Sequence, residues 1–460
     1  MPDTADLTYA PLDVDEELVE NVRALIEDGQ AAMVRTLAVD LHPADLAQLM
    51  SHLPPEQSQT LLGWLPTERG GLVLPELESA YRADLLDEVS PAELVALIDE
   101  IDTDDAADVI ADLPADVFAR VLPQLEDRAE VEHLLGYDEE TAGGLMEVDY
   151  VVVNEDATVA EATEAVRACA EEVDQVYAVY VVDARRRLQG IVPLKRLLLA
   201  REGRPVRDLM ITDIVTTEPD EDQEEVARLM ERYDLIALPV VSTDGVLLGR
   251  ITIDDIVDVI RDEAEEDLQR ASGIAGDEEL SASVLQITRG RLGWLLLGLV
   301  GAFLSGLVIK GFEGSLERAT VLAVFIPVVM AMAGNAGIQS AAIAVQGLAS
   351  GDLWGSDLLR RLGKELVVAT LNGVVLAVVL GVAVLVLPGF VEGAGGALAA
   401  TVSLSLFLVV IIATCIGATV PLLLAKAGID PALAMGPFIT VSNDILGLAV
   451  YFAIASVLFL

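Results

Sequence analysis

LGWLLLGLVGAFLSGLVIKG, residues 292–311, decides how the rest of the chain is read. An apolar stretch of about 20 residues is what a helix needs to cross the hydrocarbon core of a bilayer. Four further stretches follow, at about 319–347, 365–388, 397–425 and 433–459. Gly-rich or charged junctions near 350–362, 389–396 and 426–432 separate the last of them. The second and fourth are long enough to tilt or break. Upstream the composition inverts. The 460 residues carry 75 Asp/Glu against 28 Lys/Arg, a net charge of −47, although 53% are hydrophobic. Of these, 67 acidic and 20 basic side chains precede residue 286 and eight of each follow it. An acidic, water-facing body is joined to a neutral membrane body.

This distribution excludes several classes. A nucleic-acid binder needs a basic footprint, and none is present. Dense, periodic Leu, Val and Ile in the acidic half argue against disorder. Cys169 and Cys415 lie in different regions, so no disulfide framework is expected and a reducing compartment is compatible. His42, His52 and His133 lack zinc-ligand spacing. No nucleophile–base constellation supports an enzyme. The N-terminal residues have neither a basic segment nor an apolar core, so no cleavable signal peptide is expected. Only four lysines occur, and an acidic, lysine-poor composition is also the pattern a salt-rich cytoplasm selects.

Loop charge predicts orientation. With the N-terminus inside, Arg289, Arg291, Arg360, Arg361, Lys364 and Lys426 are cytoplasmic, and Lys310 and Arg318 are outside. The acidic body is then cytoplasmic, and five spans leave Leu460 at the outer face of the cell membrane.

Ionisable residues inside spans carry functional information. Asp444, in GPFITVSNDILGLAVYF (436–452), has no basic residue in its own span to pair with. Counted from Asp430 it falls near mid-membrane, roughly 20 Å from either end at helical rise. Ser442 and Asn443 add oxygen ligands beside it, while Gly436, Pro437 and Gly447 permit close packing and local unwinding. The second span carries PVVMAMAGNAGIQSAAIAVQG (327–347), in which Gly334-Asn335-Ala336-Gly337 is expected to interrupt the helix and free carbonyls toward a cavity. Small-residue packing accounts for the glycines alone, but not for Asn335 and Gln339. Oxygen ligands and one carboxylate per subunit suit a hydrated Mg²⁺ held by few protein groups, with Mn²⁺ inseparable on these grounds.

The acidic body divides in two. Residues 1–140 read as all-helical and repetitive: ADLAQLMSHLPPEQSQTLLGWLP (44–66) parallels AADVIADLPADVFARVLPQLE (106–126), with Pro at helix starts. Stacked short hairpins predict a helical superhelix. Asp105, Asp108 and Asp112 fall near one helical face, either a cation-binding face or a solvated one. A second repeat occupies 141–205 and 206–262. LMEVDYVVVNEDATVAEATEAVR matches LMITDIVTTEPDEDQEEVARLM, and VYAVYVVDARRRLQGIVPLKRLLL matches LIALPVVSTDGVLLGRITIDDIVDVI. The implied order is short β segment, helix, strand, turn, strand, helix. This resembles a tandem pair of CBS domains, which implies α+β modules and binding of adenosine nucleotides such as ATP through Thr252 and Asp255. The first repeat has Pro193 and Arg196 at those places.

From 254 to 283, DDIVDVIRDEAEEDLQRASGIAGDEELSAS reads as an acidic helix running toward the first span, the connecting segment 263–285. Asp255, Asp258, Glu263, Glu266 and Asp267 recur along it, and like charges one turn apart repel by a few tenths of a kcal/mol each. Such a segment recruits cations or stays apart from its neighbours.

The order of a helical repeat, tandem CBS pair, acidic connecting helix and transmembrane domain 286–460 with GNAGIQS and DPALAMGPFITVSND resembles the MgtE family of magnesium transporters, over about residues 20–460. The resemblance implies a homodimeric Mg²⁺ channel in the plasma membrane, closed when cytoplasmic Mg²⁺ draws its "plug" helices together. It implies a pore carboxylate at Asp444, a cytoplasmic-mouth carboxylate at Asp430, and pore lining by Gly334, Asn335 and Thr440. It implies sensor carboxylates at Asp222, Glu224, Asp234, Asp255, Asp258, Glu263, Glu266 and Asp267, with Asp105 and Asp108 added from the helical domain. Closure by linkage needs about 5.5 kcal/mol of differential binding for a 1:99 to 99:1 shift, a total that several weak sites supply. A proton- or Na⁺-coupled transporter and a membrane-anchored nucleotide-sensing regulator are the competing expectations.

Overall fold

The computed structural model describes residues 14–86, 89–169, 173, 175–274, 284–349, 353, 358–386 and 395–460. They form two units, Met1–Glu263 and Ala264–Leu460.

Among the described residues of the first unit, ten short α-helices run between Glu16 and Leu134, each hairpin stacking on the next. The start signals read from the sequence operate here. Pro43, Pro55 and Pro91 occupy first turns, and Ser90 with Glu93 forms a reciprocal capping box. Buried Arg82 ties the stack together, donating to Asp112 Oδ2 at 2.5 and 3.0 Å and to the Leu74 carbonyl at 3.2 Å.

The two α+β repeats follow. β1 (Val152–Asn154) pairs in parallel with β2 (Ala178–Val182), and β2 pairs antiparallel with β3 (Leu188–Pro193). In the second repeat β4 (Ala237–Val241) pairs antiparallel with β5 (Leu247–Thr252), and Thr217 bridges Val240 in parallel, where β1 stands in the first. Both hairpins shift register at the same place, Val181/Val182 and Val240/Val241. Their tips pair with each other through Arg187 and Val246. At equivalent turn positions Arg186 and Gly245 both adopt positive φ, +60° and +79°. The second repeat and the helical stack share one hydrophobic core, from Val19 through Ile110 to Ile251 and Val259, whereas the first repeat has its own around Val179, Val181 and Val192. That shared core brings the helix Thr103–Ala111 against the β5 end of the second repeat.

Among the described residues of the second unit, five helices are long and apolar enough to cross a membrane: Val284–Gly311, Thr320–Ala349, Arg360–Val386, Gly396–Lys426 and Pro431–Leu458. Their order is the expected one, but two local expectations fail. Ile326–Ala349 is one unbroken α-helix, so Gly334–Gly337 does not interrupt it. Gly337 serves packing instead: a Cβ there would strike the Asn443 amide, and one at Gly417 would strike the Gly337 backbone. The acidic connecting helix also stops early, at Ile253–Ala271. Gly273 takes φ +79°, and Ile274 N returns to Gln269 O at 3.0 Å, closing the helix with a left-handed cap. Residues 275–283 of the expected connection lie outside the described residues.

Candidate metal sites

Among the described residues, one group of three carboxylates converges: ligand oxygens of Asp104, Glu147 and Asp255 lie within 4.8 Å of one another. Asp104 enters from the first turn of Thr103–Ala111, is 8% exposed, and keeps a buried Oδ1 without a hydrogen-bond partner. Asp255 is aimed by Thr252, whose N and Oγ1 donate to its Oδ2 at 3.2 and 2.9 Å. Glu147 is gripped by Arg250, which donates from Nε and Nη2 to Oε2 at 2.9 and 2.7 Å. A cavity of about 60 Å³ adjoins the cluster, with Asp102, Asp149 and Tyr177 in its wall.

Electrostatics oppose so many carboxylates in one place. Burial first, then Asp105 and Asp255, push Asp104 well above the ordinary carboxylate range. Burial and Asp255 raise Asp105 to about 8. Burial and Glu139 raise Asp108 to about 7. Burial takes Glu147 to about 7 in spite of Arg250, and Asp255 to about 6 in spite of the Thr252 hydrogen bonds. Buried carboxyls repelling one another, one with an orphan oxygen, form a site a hard divalent cation would relieve.

Sequence reasoning named Asp255, Asp105 and Asp108 but missed Asp104 and Glu147. Asp105 and Asp108 share the helix and the raised pKa values, yet it is Asp104 that the helical phase turns into the cluster. A signal for Glu147 existed in the repeat alignment. Glu147 and Arg250 bridge at the place where Ile211 and Ile191 bridge in the other repeat, so a charged pair stands where the duplicate has an apolar one.

The other expected sensor residues do not assemble within one chain. Asp222 caps the helix Gln223–Tyr233, accepting from Glu224 N at 2.9 Å. Asp234 ends that helix at φ +51°, about 18 Å away at helical rise. Glu224 pairs with Arg228 at 2.8 Å, Asp258 with Arg261 at 3.3 Å, and Glu263 accepts from Gln223 at 2.7 Å. Glu266 pairs with Arg270, and Asp267 is half-buried one residue on. Thr252 and Asp255, the expected nucleotide pair, bond each other; in the first repeat Arg196 donates instead to the Leu209 carbonyl at 3.2 Å.

In the membrane unit, consecutive residues have opposite fates. Asn443 is 2% exposed and donates to the Ala333 carbonyl at 3.3 Å, bracing the fifth span against the second. Asp444 is half-exposed and makes no hydrogen bond or ion pair with the described residues. Thr440, one turn earlier, is exposed, as is Asn335 on the second span, and a Cβ at Gly334 would meet open space. The fifth span's α-helix begins only at Pro437, after a 3₁₀ turn over Pro431–Ala434. Asp444 therefore lies about 10 Å into that helix, nearer its start than the count from Asp430 implied.

Three family models match this chain: a divalent cation transporter domain over 326–454, an MgtE intracellular N domain over 41–140, and CBS domains over 142–203 and 206–262. The magnesium transporter MgtE of Thermus thermophilus is 37% identical over 334 residues, 72% of this chain and 73% of that protein. The magnesium transporter MgtE of Bacillus subtilis is 36% identical over 326 residues, 71% of each. A crystal structure of the cytosolic domain of the Mg²⁺ channel MgtE in complex with ATP matches 52% of this chain and 99% of that one, at 36% identity and a TM-score of 0.50.

Proposed function

This chain belongs to the MgtE family of magnesium transporters, and from that premise we propose that it works as a homodimeric, Mg²⁺-selective channel closed by cytoplasmic Mg²⁺. The observation that carries the conduction half is Asp444: a carboxylate without a partner among the described residues, facing outward from an apolar span whose next-door amide faces in. A carboxylate in that position is too costly to expose to lipid. A second copy placing its own Asp444 opposite would create a path lined by two carboxylates, the Thr440 hydroxyls and the Asn335 amides. One or two carboxylates with retained water is how proteins hold Mg²⁺.

The gating half rests on the Asp104–Glu147–Asp255 cluster. Without cation, repulsion among these buried carboxyls and along the connecting helix favours separation of the acidic surfaces. Mg²⁺ binds the ionised cluster, cancels the repulsion and selects the closed arrangement. Asp255 lies in the first turn of the helix that ends at Ala271. A relative's cytosolic domain takes ATP, and Thr252 with Asp255 offers the acceptor pair for a ribose here, which adds ATP to the regulators. In this reading the cytoplasmic side holds the acidic unit, and the C-terminus faces outward.

Mg²⁺ flux in proteoliposomes tests both halves. Asp444→Ala should abolish flux, and normal conduction by that variant would remove the pore assignment. Asp255→Ala with Asp258→Ala and Glu263→Ala should keep conducting at millimolar internal Mg²⁺. Closure like the unmodified protein would remove the sensor assignment. A dependence of the reversal potential on pH or Na⁺ gradients would replace the channel by a coupled transporter.

A further inference from the structure

Arg270, in the last turn of the connecting helix, holds the Asp430 carboxylate: Nη1 donates to Oδ2 at 2.9 Å. The other oxygen is also engaged, because Oδ1 accepts from Ala432 N at 2.7 Å and caps the 3₁₀ turn Pro431–Ala434. Arg270 pairs at the same time with Glu266, one turn back on its own helix. Both Arg270 and Asp430 belong to the second unit. The contact is reinforced beside them: Gly273, which caps the connecting helix, lies against Gly436, where a Cβ would sit 3.6 Å from Gly273 Cα. Gly436 immediately precedes the helix whose eighth residue is Asp444. The end of the acidic helix is thus joined, by one ion pair and one backbone contact, to the start of the span that carries Asp444.

We propose that Arg270 is a tethered counter-cation of the pore mouth: it occupies the Asp430 carboxylate in the closed arrangement and must leave it before a permeating divalent cation can bind there. This inference rests on the channel reading above, with Asp430 at the cytoplasmic mouth. Arginine suits the role. Its guanidinium stays charged at every physiological pH and fits a carboxylate as a planar fork. A carboxylate already bound by a guanidinium and an amide N–H offers a divalent cation no free charge. The arginine also places a positive charge in the entry path, which repels cations directly.

The test compares Mg²⁺ flux through the full-length protein at high and at low internal Mg²⁺, and takes the ratio for each variant so that changes in conduction cancel. Arg270→Gln is expected to raise the residual flux at high internal Mg²⁺ about two- to fivefold, the range that a partly exposed ion pair provides. Arg270→Lys should restore most of the closure. Asp430→Asn should raise the same ratio, and Arg270→Gln with Asp430→Asn should raise it no further, as residues acting through one contact are non-additive. Closure of Arg270→Gln like the unmodified protein, or multiplied effects in the double variant, overturns the proposal. Asp444→Ala run alongside separates the two readings. If it abolishes flux while Arg270→Gln gates normally, only the latch falls. If it conducts normally, the channel itself falls. Hydrogen exchange at the amides of 270–274 gives a readout independent of flux, expected to quicken in Arg270→Gln; unchanged exchange counts against the pairing.

Discussion

Arg250 and Glu147 stand 103 residues apart in the sequence and form a two-toothed ion pair at 2.9 and 2.7 Å in the wall of the carboxylate cluster. Arg250 is 4% exposed at its side chain and Glu147 14%, so the pair is shielded from solvent and depends on its own geometry. Breaking such a pair strands a charge; replacing both partners by apolar groups does not.

Arg250→Met should therefore lower the stability of the acidic unit by about 3 kcal/mol, the scale for orphaning one member of a buried pair. Thermal unfolding of the purified protein without Mg²⁺ measures it. Arg250→Ile with Glu147→Ile copies the apolar bridge of the first repeat. That double variant should recover most of the loss within about 1 kcal/mol, while its Mg²⁺-induced rise in melting temperature falls below that of the unmodified protein.

pH acts on the same cluster with a definite sign. The folded-state pKa values of Asp105, Asp108, Glu147 and Asp255 are raised to about 8, 7, 7 and 6. Unfolded carboxyls titrate near 4. Between these limits the folded chain holds more protons than the unfolded one, so metal-free stability falls as pH climbs from about 4 toward 8. With Mg²⁺ bound to the ionised groups, as proposed above, the stabilisation it confers should grow over that interval. Melting curves at acid and mildly alkaline pH, with chelator and with millimolar Mg²⁺, check both slopes. A Mg²⁺ effect larger at the acid end contradicts the cluster assignment.

Asp104→Asn separates binding from folding. It removes a carboxyl whose ionisation burial and like charges oppose, so the metal-free protein should be at least as stable as the unmodified one. The same change removes one of the three converging oxygens, and calorimetric titration with Mg²⁺ should lose the site proposed there. Asp108→Asn, whose carboxylate lies outside the three that converge, should weaken that site less.

The membrane unit offers a contrast between two glycines. A Cβ at Gly417 would press into the Gly337 backbone, and backbone cannot swing aside as a side chain can. Gly417→Ala should destabilise the bundle by about 1–3 kcal/mol, the usual cost of overpacking. A Cβ at Gly334 meets nothing within 4 Å, so Gly334→Ala should leave stability unchanged to about 0.5 kcal/mol. Thermal aggregation in detergent ranks the two.

Much of this protein is fixed by local pattern. The five spans follow from unbroken apolar runs, because hydrocarbon tolerates only helices whose backbone bonds to itself. The α+β repeat was legible because duplicated segments such as LMEVDY and LMITDI preserve register, down to the matching irregularities of the two hairpins. Helix starts at Pro43, Pro55 and Pro91 were written in residue types alone. The charge distribution and the isolation of Asp444 among apolar residues were likewise properties of the chain.

Tertiary structure decided which of the many carboxylates meet. Asp104, rather than Asp105, joins Asp255, because docking of the helical stack on the second repeat sets the rotation of one helix about its axis. Glu147 reaches the same point only through the fold of the repeat that precedes it. In the membrane, continuity of the second span through Gly337 overrode the local tendency of glycine to break a helix, since the side chains of Asn443 and Ile439 fill the space that the missing side chain leaves. The same packing turned Asn443 inward and Asp444 outward. Periodicity assigns a residue to a face, but the partner of that face is chosen by contacts tens to hundreds of residues away, and one residue of helical phase, about 100°, separates a buried brace from a half-exposed carboxylate.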